Sequence, residues 1–587
     1  MLLQTLPYDL LFHIAQYLDI DDVHNLQTTC KSLRTFTLTR PVYRSLAYTL
    51  LSRSRPLPLP AFQRLADLST QSLISAVNRA NRFEKAWRIR APRPAIPSSL
   101  STTTQGRGRW YTKISAPPNE EIDWLSPITS SYTLCATKSG RVVCWDVARD
   151  ICLAEWDPRT LTTQFPGFPK KWELWKCRVE FDERAVYFTM ARVLRGSYDD
   201  DRVMEFVLMK LSFPPETPEH ASPDPSSETG PLFFPLTSFY TTGVVMNVFL
   251  LDPPRCLLSA FVWVASSNTI GLYVLLDWTN DEYVFVDTGV GCLISSNWSC
   301  ILHEDQIVIH SEEADAAYQY FYPLSILRTF TRSRRKPLSI NVISTRLPPV
   351  KSLSKKFVFP RRTPIQQPTA LVPVSQSPDN PYPFPPWYPE SAHFVRQWWP
   401  TLPGVPRLSC TVVLLAAHDP NTHRTRFVLA QHYFRVPIVH DPVPDTGKSG
   451  SISEDDEMLH LWYVSTPFEV VCVLDPPADN DEEEDTGDRP RPLVAVDFGH
   501  AVWVEYAAEP GGVYVPKCLR FVTFPPVYTA YDKAVKQSKM REEAVVRTLD
   551  IPQELDLDGV ETINIDQSQG AVILSVKEGN IFILRYE

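Results

Sequence analysis

The sequence predicts a mainly β protein with a small α-helical unit at its N-terminus. Apolar residues keep helical spacing over roughly residues 5–48, and short apolar runs separated by polar breaks recur from about residue 110 to residue 587. The composition agrees, since the 587 residues include 54 prolines but only 20 glycines. Proline breaks helices and is confined to strand ends and edges, so this balance favours short strands joined by stiff loops.

Charge and cysteine usage argue against several classes of protein. The formal net charge is −9, which argues against a general nucleic-acid binder. The most apolar region, about 243–276, is interrupted by charge and proline at 252–255, so we expect no membrane span. Eleven cysteines without a CxxC pair favour reduced thiols over a disulfide framework, and we expect a cytoplasmic or nuclear protein.

The N-terminal segment predicts three short helices. Pro7 suits the first turn of a helix whose apolar stripe is Leu10, Ile14 and Leu18, with Leu11 beside it. Asp19 is placed to cap a second helix.

The second helix has Asp22 in its first turn, where negative charge is favoured. Thr28 or Thr29 is expected to cap a third helix that carries Leu33 and Phe36. So small a unit exposes more apolar surface than it can bury by itself. From spacing alone, it could bind a partner or pack on the rest of the chain.

The string LPYDLLFHIAQYLDIDDVHNLQTTCKSLRTF resembles the F-box motif. Asp9 replaces the usual Glu, Ile20 replaces the common Pro, and Tyr43 stands where Trp often closes the motif. The matching positions are Leu6, Pro7, Leu10, Leu11, Ile14, Tyr17, Leu18, Asp19, Leu26, Cys30, Lys31 and Arg34.

The resemblance implies docking on the adaptor Skp1, and through it on a cullin. The expected Skp1-binding residues are Leu6, Pro7, Leu10, Leu11, Ile14, Leu18, Val23, Leu26, Cys30 and Leu33. Some of these residues must instead hold the helices together, and sequence does not separate the two roles.

Three regions follow from these patterns: an F-box at 1–50, a connector at 51–105 and a β region at 106–587. The connector combines a proline-rich break at 53–60 with a helical run at about 61–89, whose basic residues are expected to form a solvated face. Inserts are expected near 212–232, 345–405, 437–458 and 476–492.

The best-formed β unit spans residues 131–157. It reads as three strands joined by turns at 138–140 and 148–150, with Trp145-Asp146 ending a strand, and residues 563–587 repeat this layout. The unit resembles a WD40-like propeller blade. The resemblance implies a β-propeller-like domain of six to eight degenerate blades.

No catalytic motif stands out in the sequence. His303-Glu304 lacks the second histidine of a zinc-protease helix, and Gly447-Lys448-Ser449 follows a Pro at position 442 where a phosphate-binding loop needs Gly. His418 and His500 are expected to be strand-end residues, and the basic run 332–336 is either a solvated loop or a nuclear address. No metal or other cofactor is expected.

Three functions remain open at this stage. The first is a substrate-binding adaptor of a Skp1–cullin–F-box ubiquitin ligase that binds an unknown protein through the propeller. The second is a scaffold that keeps the F-box but acts outside a ligase. The third is a propeller hydrolase, which would need converging carboxylates or histidines.

Overall fold

A computed structural model gives the fold of this chain. It describes residues 3–52, 55–59, 61–88, 92–95, 110–115, 120–129, 131–147, 149–160, 171–196, 201–214, 230–292, 297–313, 316–333, 341–356, 388–396, 409–419, 424–434, 460–463, 468–469, 492–505, 517–524, 545–577 and 579–587. The expected inserts 437–458 and 476–491, most of 357–405, and residues 215–229 lie outside these ranges.

Within the described residues, five α-helices precede the β region and a sixth lies within it. Their bounds are α1 Tyr8–Ala15, α2 Ile20–Thr29, α3 Lys31–Thr37, α4 Arg40–Ser52, α5 Thr70–Arg88 and α6 Leu324–Arg328. Among the described residues, no helix has the length and apolar character to cross a membrane.

The predicted start of α2 is confirmed. The backbone N–H of Asp22 donates to the Asp19 carboxylate at 2.9 Å, and the N–H of Asp19 donates to Asp22 at 3.2 Å. This reciprocal pair satisfies two backbone donors that the helix itself cannot.

Other helix boundaries were predicted wrongly. Thr28 and Thr29 lie inside α2, where their hydroxyls donate to backbone carbonyls one turn earlier, and α3 begins after Cys30 without a side-chain cap. Pro7 is the N-cap of α1 and not its first turn. Helix α4 was not predicted, and α5 begins only at Thr70, because residues 61–69 follow an irregular path despite their apolar spacing.

The β region contains seven sheets, here called blades 1 to 7 in chain order. Blade 1 consists of β2 Ile122–Pro127, β3 Tyr132–Thr137, β4 Val142–Asp146 and β5 Ile151–Trp156. Blade 2 consists of β6 Glu173–Glu180, β7 Ala185–Arg195, β8 Val203–Ser212 and β9 Leu232–Thr242. Blade 3 consists of β10 Val244–Asp252, β11 Leu257–Val264, β12 Thr269–Asp277 and β13 Glu282–Gly291, with β17 Arg332–Ser333 and β18 Thr345–Arg346 added at its edge.

Blade 4 consists of β14 Asn297–His303, β15 Gln306–Glu312, β16 Ala316–Pro323 and β19 Lys351–Lys356, and blade 5 of β20 Tyr388–Arg396, β21 Ser409–Asp419, β22 Arg424–Phe434, β23 His460–Tyr463 and β24 Phe468–Glu469. Blade 6 consists of β25 Val494–Asp497, β26 His500–Glu505, β27 Cys518–Thr523 and β28 Arg547–Leu549. Blade 7 consists of β29 Val560–Asp566, β30 Ala571–Val576, β31 Asn580–Arg585 and β1 Tyr111–Ser115.

The seven blades form a closed ring, which makes the domain a seven-bladed β-propeller. The first strands of neighbouring blades contact one another in cyclic order, and β2 of blade 1 contacts β29 of blade 7. Blade 7 contains strands from both ends of the β region. Its outer strand, β1, pairs antiparallel with β31 from Tyr111↔Leu584 to Ser115↔Asn580. The prediction of six to eight blades is confirmed.

Apolar patterns in the sequence located many strands, but some assignments were wrong. The expected insert 345–405 contains β18, β19 and β20, because its many prolines favoured a loop. The apolar stretch 243–276 contains β10, β11 and most of β12. Strands β11 and β12 are buried on both faces, so they lack the alternation that marks a half-buried strand.

The antiparallel blades give the ring two distinct faces. Turns between the first and second strands, and between the third and fourth, lie on one face, whereas the other turns lie on the opposite face. We call the first the helical face, because α5 and the segment before it contact residues in its turns, and the second the open face.

Ring closure should contribute measurably to stability. Ile114 in β1 is 1% exposed and packs among the isoleucines of blades 1 and 7. Replacing Ile114 with Ala should lower the free energy of unfolding in urea by about 2–4 kcal/mol, because the change leaves a cavity at the closing seam. Its exposed neighbour provides the control, since Lys113→Gln should cost less than about 0.5 kcal/mol. Equal unfolding midpoints for the two variants would contradict a stabilising role for β1.

Candidate functional site

One side of α1 is apolar and faces solvent. Leu10 is 51% exposed, Ile14 37% and Tyr17 79%, and Pro7 is exposed as well. Leu10 and Ile14 are four residues apart and so lie on one side of α1, and Pro7 and Tyr17 flank the helix at its two ends. We call Pro7, Leu10, Ile14 and Tyr17 the exposed α1 face.

The remaining predicted partner-binding residues point inward to different degrees. Leu11, Val23 and Leu33 are buried in the core of the helical unit. Leu6, Leu18, Leu26 and Cys30 are half-buried against that core. The structure thus separates residues available to a partner from residues that hold the helices together, which the sequence could not do.

Sequence reasoning omitted several exposed apolar residues of the helical unit. Tyr17 was recognised only as a motif match, whereas Leu3, Tyr8 and Leu38 were not considered. Tyr8 stacks on Phe36 at a ring-centroid distance of 5.6 Å, so it stays ordered while exposed. The Leu10–Ile14–Tyr17 spacing of four and three was the signal that could have revealed Tyr17.

Residues 3–49 match a family model described as F-box-like. This segment is an F-box-like domain. No curated protein matches the chain.

Solved structures similar to the chain include a WD40 domain, a β-propeller domain and a computationally designed protein. The WD40 domain of SCAP from fission yeast has 9% identity over 81% of this chain and 98% of its own, with a TM-score of 0.35. The β-propeller domain of Cps50 (Swd1) from Myceliophteria thermophila has 9% identity over 81% and 98%, with a TM-score of 0.36. The computationally designed Ika8 protein has 9% identity over 80% and 98%, with a TM-score of 0.29.

The F-box-like domain is fixed to the propeller by buried contacts. Its core continues through α4, α5 and the proline-rich segment to Cys410 and Phe498 of the propeller. Arg55, Leu57 and Leu59 are each less than a tenth exposed, so residues 55–59 of the proline-rich break are a packed element and not a free hinge.

We call the contact of the connector and the F-box-like domain with the propeller the joint, and a series of hydrogen bonds crosses it. The Arg55 guanidinium donates to His500 Nε2 at 3.2 Å, and the Thr523 hydroxyl donates to the Trp87 carbonyl at 2.7 Å. His500 Nδ1 lies 3.0 Å from the Thr523 hydroxyl and therefore donates to it. Burial and the Arg55 charge hold the pKa of His500 well below its ordinary value, which keeps the ring neutral and able to accept from Arg55.

Aromatic and ionic contacts extend the joint over neighbouring blades. The Trp87 indole N–H donates to the Tyr586 carbonyl at 3.2 Å, beside the last strand of blade 7. At blade 2, Phe62 packs against Phe213 at a ring-centroid distance of 4.7 Å, and Arg64 pairs with Asp182 at 3.2 Å. The connector is therefore anchored on blades 2, 6 and 7.

The basic residues of α5 were expected to form a solvated face. The Arg82 and Lys85 side chains are 62% and 42% exposed, and they also form ion pairs: Lys85 with Asp21 of α2, and Arg82 with Glu587 at 3.7 Å. Arg79 departs from the expectation, because it is half-buried and burial lowers its pKa. Lys85 thus links α5 to the F-box-like domain, and Arg82 links it to the end of blade 7.

Two buried acids lie in the turns beneath the joint. Asp497 accepts the backbone N–H of Phe498 at 2.7 Å, and Asp566 accepts the Ser568 backbone N–H at 3.0 Å. Burial raises the pKa of Asp497 to about 6 and also raises the pKa of Asp566. Hydrogen bonds to both carboxyls oppose this effect without cancelling it.

A second buried polar cluster lies where blades 4 and 5 meet. Glu312 lies 3.1 Å from His310 Nε2 and 3.1 Å from His432 Nδ1. Burial raises the pKa of this carboxyl, but its contacts with the two histidines outweigh burial and lower the pKa to about 2. No group of described residues has the arrangement to hold a metal ion. His303 and Glu304 lie at the turn between β14 and β15, and Gly447-Lys448-Ser449 lies outside the described residues.

Asp497 should make stability depend on pH in a defined direction. Its folded pKa of about 6 exceeds its ordinary value of 3.8, so the folded state holds this proton more tightly than the unfolded state. The free energy of unfolding should therefore fall by at most about 3 kcal/mol as pH rises from about 4 to about 6. Above about pH 6, the contribution of Asp497 should no longer change.

The measurement is urea unfolding of the natural protein and Asp497→Asn across pH 4–8. Asn keeps an acceptor for the Phe498 N–H but carries no charge, so the variant should gain relative stability through this window. Asp305→Asn serves as the control, because the Asp305 side chain is 86% exposed. A constant difference between natural protein and Asp497→Asn at every pH would show that Asp497 does not titrate there.

Proposed function

We propose that this protein is the substrate-recognition adaptor of a Skp1–cullin–F-box ubiquitin ligase. The F-box-like domain would dock on Skp1, Skp1 would connect it to a cullin, and the propeller would bind a protein substrate. The adaptor would supply positioning, and the transfer chemistry would belong to other subunits. An F-box-like domain joined to a propeller fits such a non-catalytic role.

The exposed α1 face carries the proposal. Leu10, Ile14 and Tyr17 are exposed apolar residues in or beside α1, within a segment that matches the F-box-like family. Such a stripe suits insertion into an apolar groove on a partner. Leu11, Val23 and Leu33 of the same domain are engaged in its core and so are not available to a partner.

The open face of the propeller supports the substrate-binding half of the proposal. The connector contacts turns of the helical face at Phe181, Phe213 and Phe498. The open face would thus point away from the Skp1-binding helices. Loops on one face of a rigid ring are suited to binding other proteins. We infer that the protein acts in the cytoplasm or nucleus, where these ligases work.

The proposal predicts that Skp1 binding depends on the exposed α1 face. Purified Skp1 should bind the natural protein, and Leu10→Asp/Ile14→Asp should weaken binding about 100-fold or more, since two charges would replace buried apolar contacts. Calorimetric titration measures the loss. Circular dichroism should show an unchanged fold, because both side chains are exposed in the free protein.

Val545→Asp provides the matched control, because Val545 is an exposed apolar residue of the propeller at 60% exposure. This variant should bind Skp1 as the natural protein does. Failure of the natural protein to bind Skp1 would refute the proposal. Binding of Skp1 without assembly of a cullin complex would instead identify a scaffold acting outside a ligase.

A further inference from the structure

Three arginines lie where α5 contacts blade 7. Arg79 and Arg82 are three residues apart and so share one side of α5. Phe83, the next residue of the helix, packs so closely on Gly570 that a Cβ there would come within 3.0 Å of the ring. Arg585, the last residue of β31, lies opposite the residue that follows Gly570. The fold thus brings the three guanidinium groups to one region of the joint.

The Arg79 guanidinium lacks an acceptor in the protein. Within the part of the chain that the structure describes, it forms no hydrogen bond and no ion pair, and it lies 5.2 Å from the centroid of the Phe83 ring. The side chain is half-buried, and burial lowers its pKa. Withdrawing guanidinium donors from water without a protein acceptor costs free energy. Arg79 would therefore gain from an added acceptor.

The acids near these arginines leave positive charge in excess. Glu587 lies 3.7 Å from Arg82. Asp566 attracts Arg79 and Arg585, but its carboxylate oxygens accept hydrogen bonds from its own turn. Three positive charges thus face two negative charges.

The arginines also repel one another. Burial lowers the pKa of the Arg585 guanidinium, and the neighbouring charge of Arg79 lowers it further. Arg82 acts on Arg79 in the same direction. Like charges at such short range are costly in a partly buried region, and an anion between them would relieve the repulsion.

We propose that Arg79, Arg82 and Arg585 form a binding site for a small phosphate-bearing anion at the joint. Guanidinium groups bind phosphate through parallel N–H···O bonds, and the oxygens of one phosphate can accept from several arginines at once. A phosphomonoester carries a charge of about −1.5 to −2 near neutral pH, which is more than a carboxylate supplies. The bound anion holds α5 against blade 7. This site is separate from the exposed α1 face and from the open face.

Calorimetric titration of the full-length protein at constant ionic strength tests the site, with inorganic phosphate and glycerol phosphate as separate ligands. At least one of them should bind saturably with a Kd of about 1 mM or tighter. Tighter binding of glycerol phosphate would identify a phosphomonoester as the ligand, and otherwise the ligand is inorganic phosphate. Arg79→Gln should weaken binding at least about tenfold, because it removes the guanidinium that lacks an acceptor.

Three further variants sharpen the result. Glu587→Gln removes a carboxylate that competes for Arg82, so it should strengthen binding about twofold or more. Arg79→Lys keeps the charge but loses the planar donor pair, so its affinity should lie between those of the natural protein and Arg79→Gln. Arg159→Gln is the matched control, since Arg159 is 77% exposed and pairs with Asp157 on blade 1, and this variant should bind normally.

Thermal unfolding in chloride buffer shows whether each variant folds. If Arg79→Gln does not fold, Arg82→Gln takes its place, because the Arg82 side chain is exposed. Equal phosphate affinity of this variant and the natural protein would overturn the proposal, and so would an equal loss of affinity in Arg159→Gln. Absence of saturable binding at a Kd of about 1 mM or tighter would mean an adventitious ion only, and would overturn it as well.

Discussion

The pairing of β1 with β31 is the constraint on which the whole molecule depends. Blade 7 is built from both ends of the β region, so this pairing joins the first and last strands of the ring. Helix α5 precedes β1 along the chain, and its Trp87 donates to the Tyr586 carbonyl beside β31. The strands that close the ring thus also hold the connector in place.

Because the joint is packed, the two halves of the molecule present their surfaces in a fixed relation. Residues 55–59 of the proline-rich segment, which could have been a hinge, are buried, and Arg55 is held by neutral His500 on one side and lies 3.6 Å from Glu84 on the other. A buried, hydrogen-bonded arginine is costly to separate from its partners. The exposed α1 face and the open face therefore do not need a ligand to orient them.

Local signals in the sequence located the elements well, because capping and alternation depend on neighbouring residues. Asp19 and Asp22 were correctly placed as a helix start, and the 131–157 unit formed three strands as its turns indicated. The roles of Leu10 and Leu11 could not be separated in the same way. They are neighbours in sequence, but one faces solvent and the other the core, and only the position of the other helices decides this.

For the same reason, the contacts that form the joint could not be predicted from the sequence. Nothing in the sequence around His500 indicates that it accepts a hydrogen bond from Arg55, because the two residues are 445 positions apart.

Closure of blade 7 also governs when this protein can fold. Thr112 of β1 and Arg585 of β31 are 473 residues apart yet are joined by a 3.0 Å hydrogen bond. During synthesis, β1 leaves the ribosome long before its partner exists, and the ring stays open until the final strands emerge. Domains dominated by such distant pairings fold slowly and expose strand edges meanwhile. We therefore expect nascent chains of this protein to depend on chaperones until β31 has emerged and paired with β1.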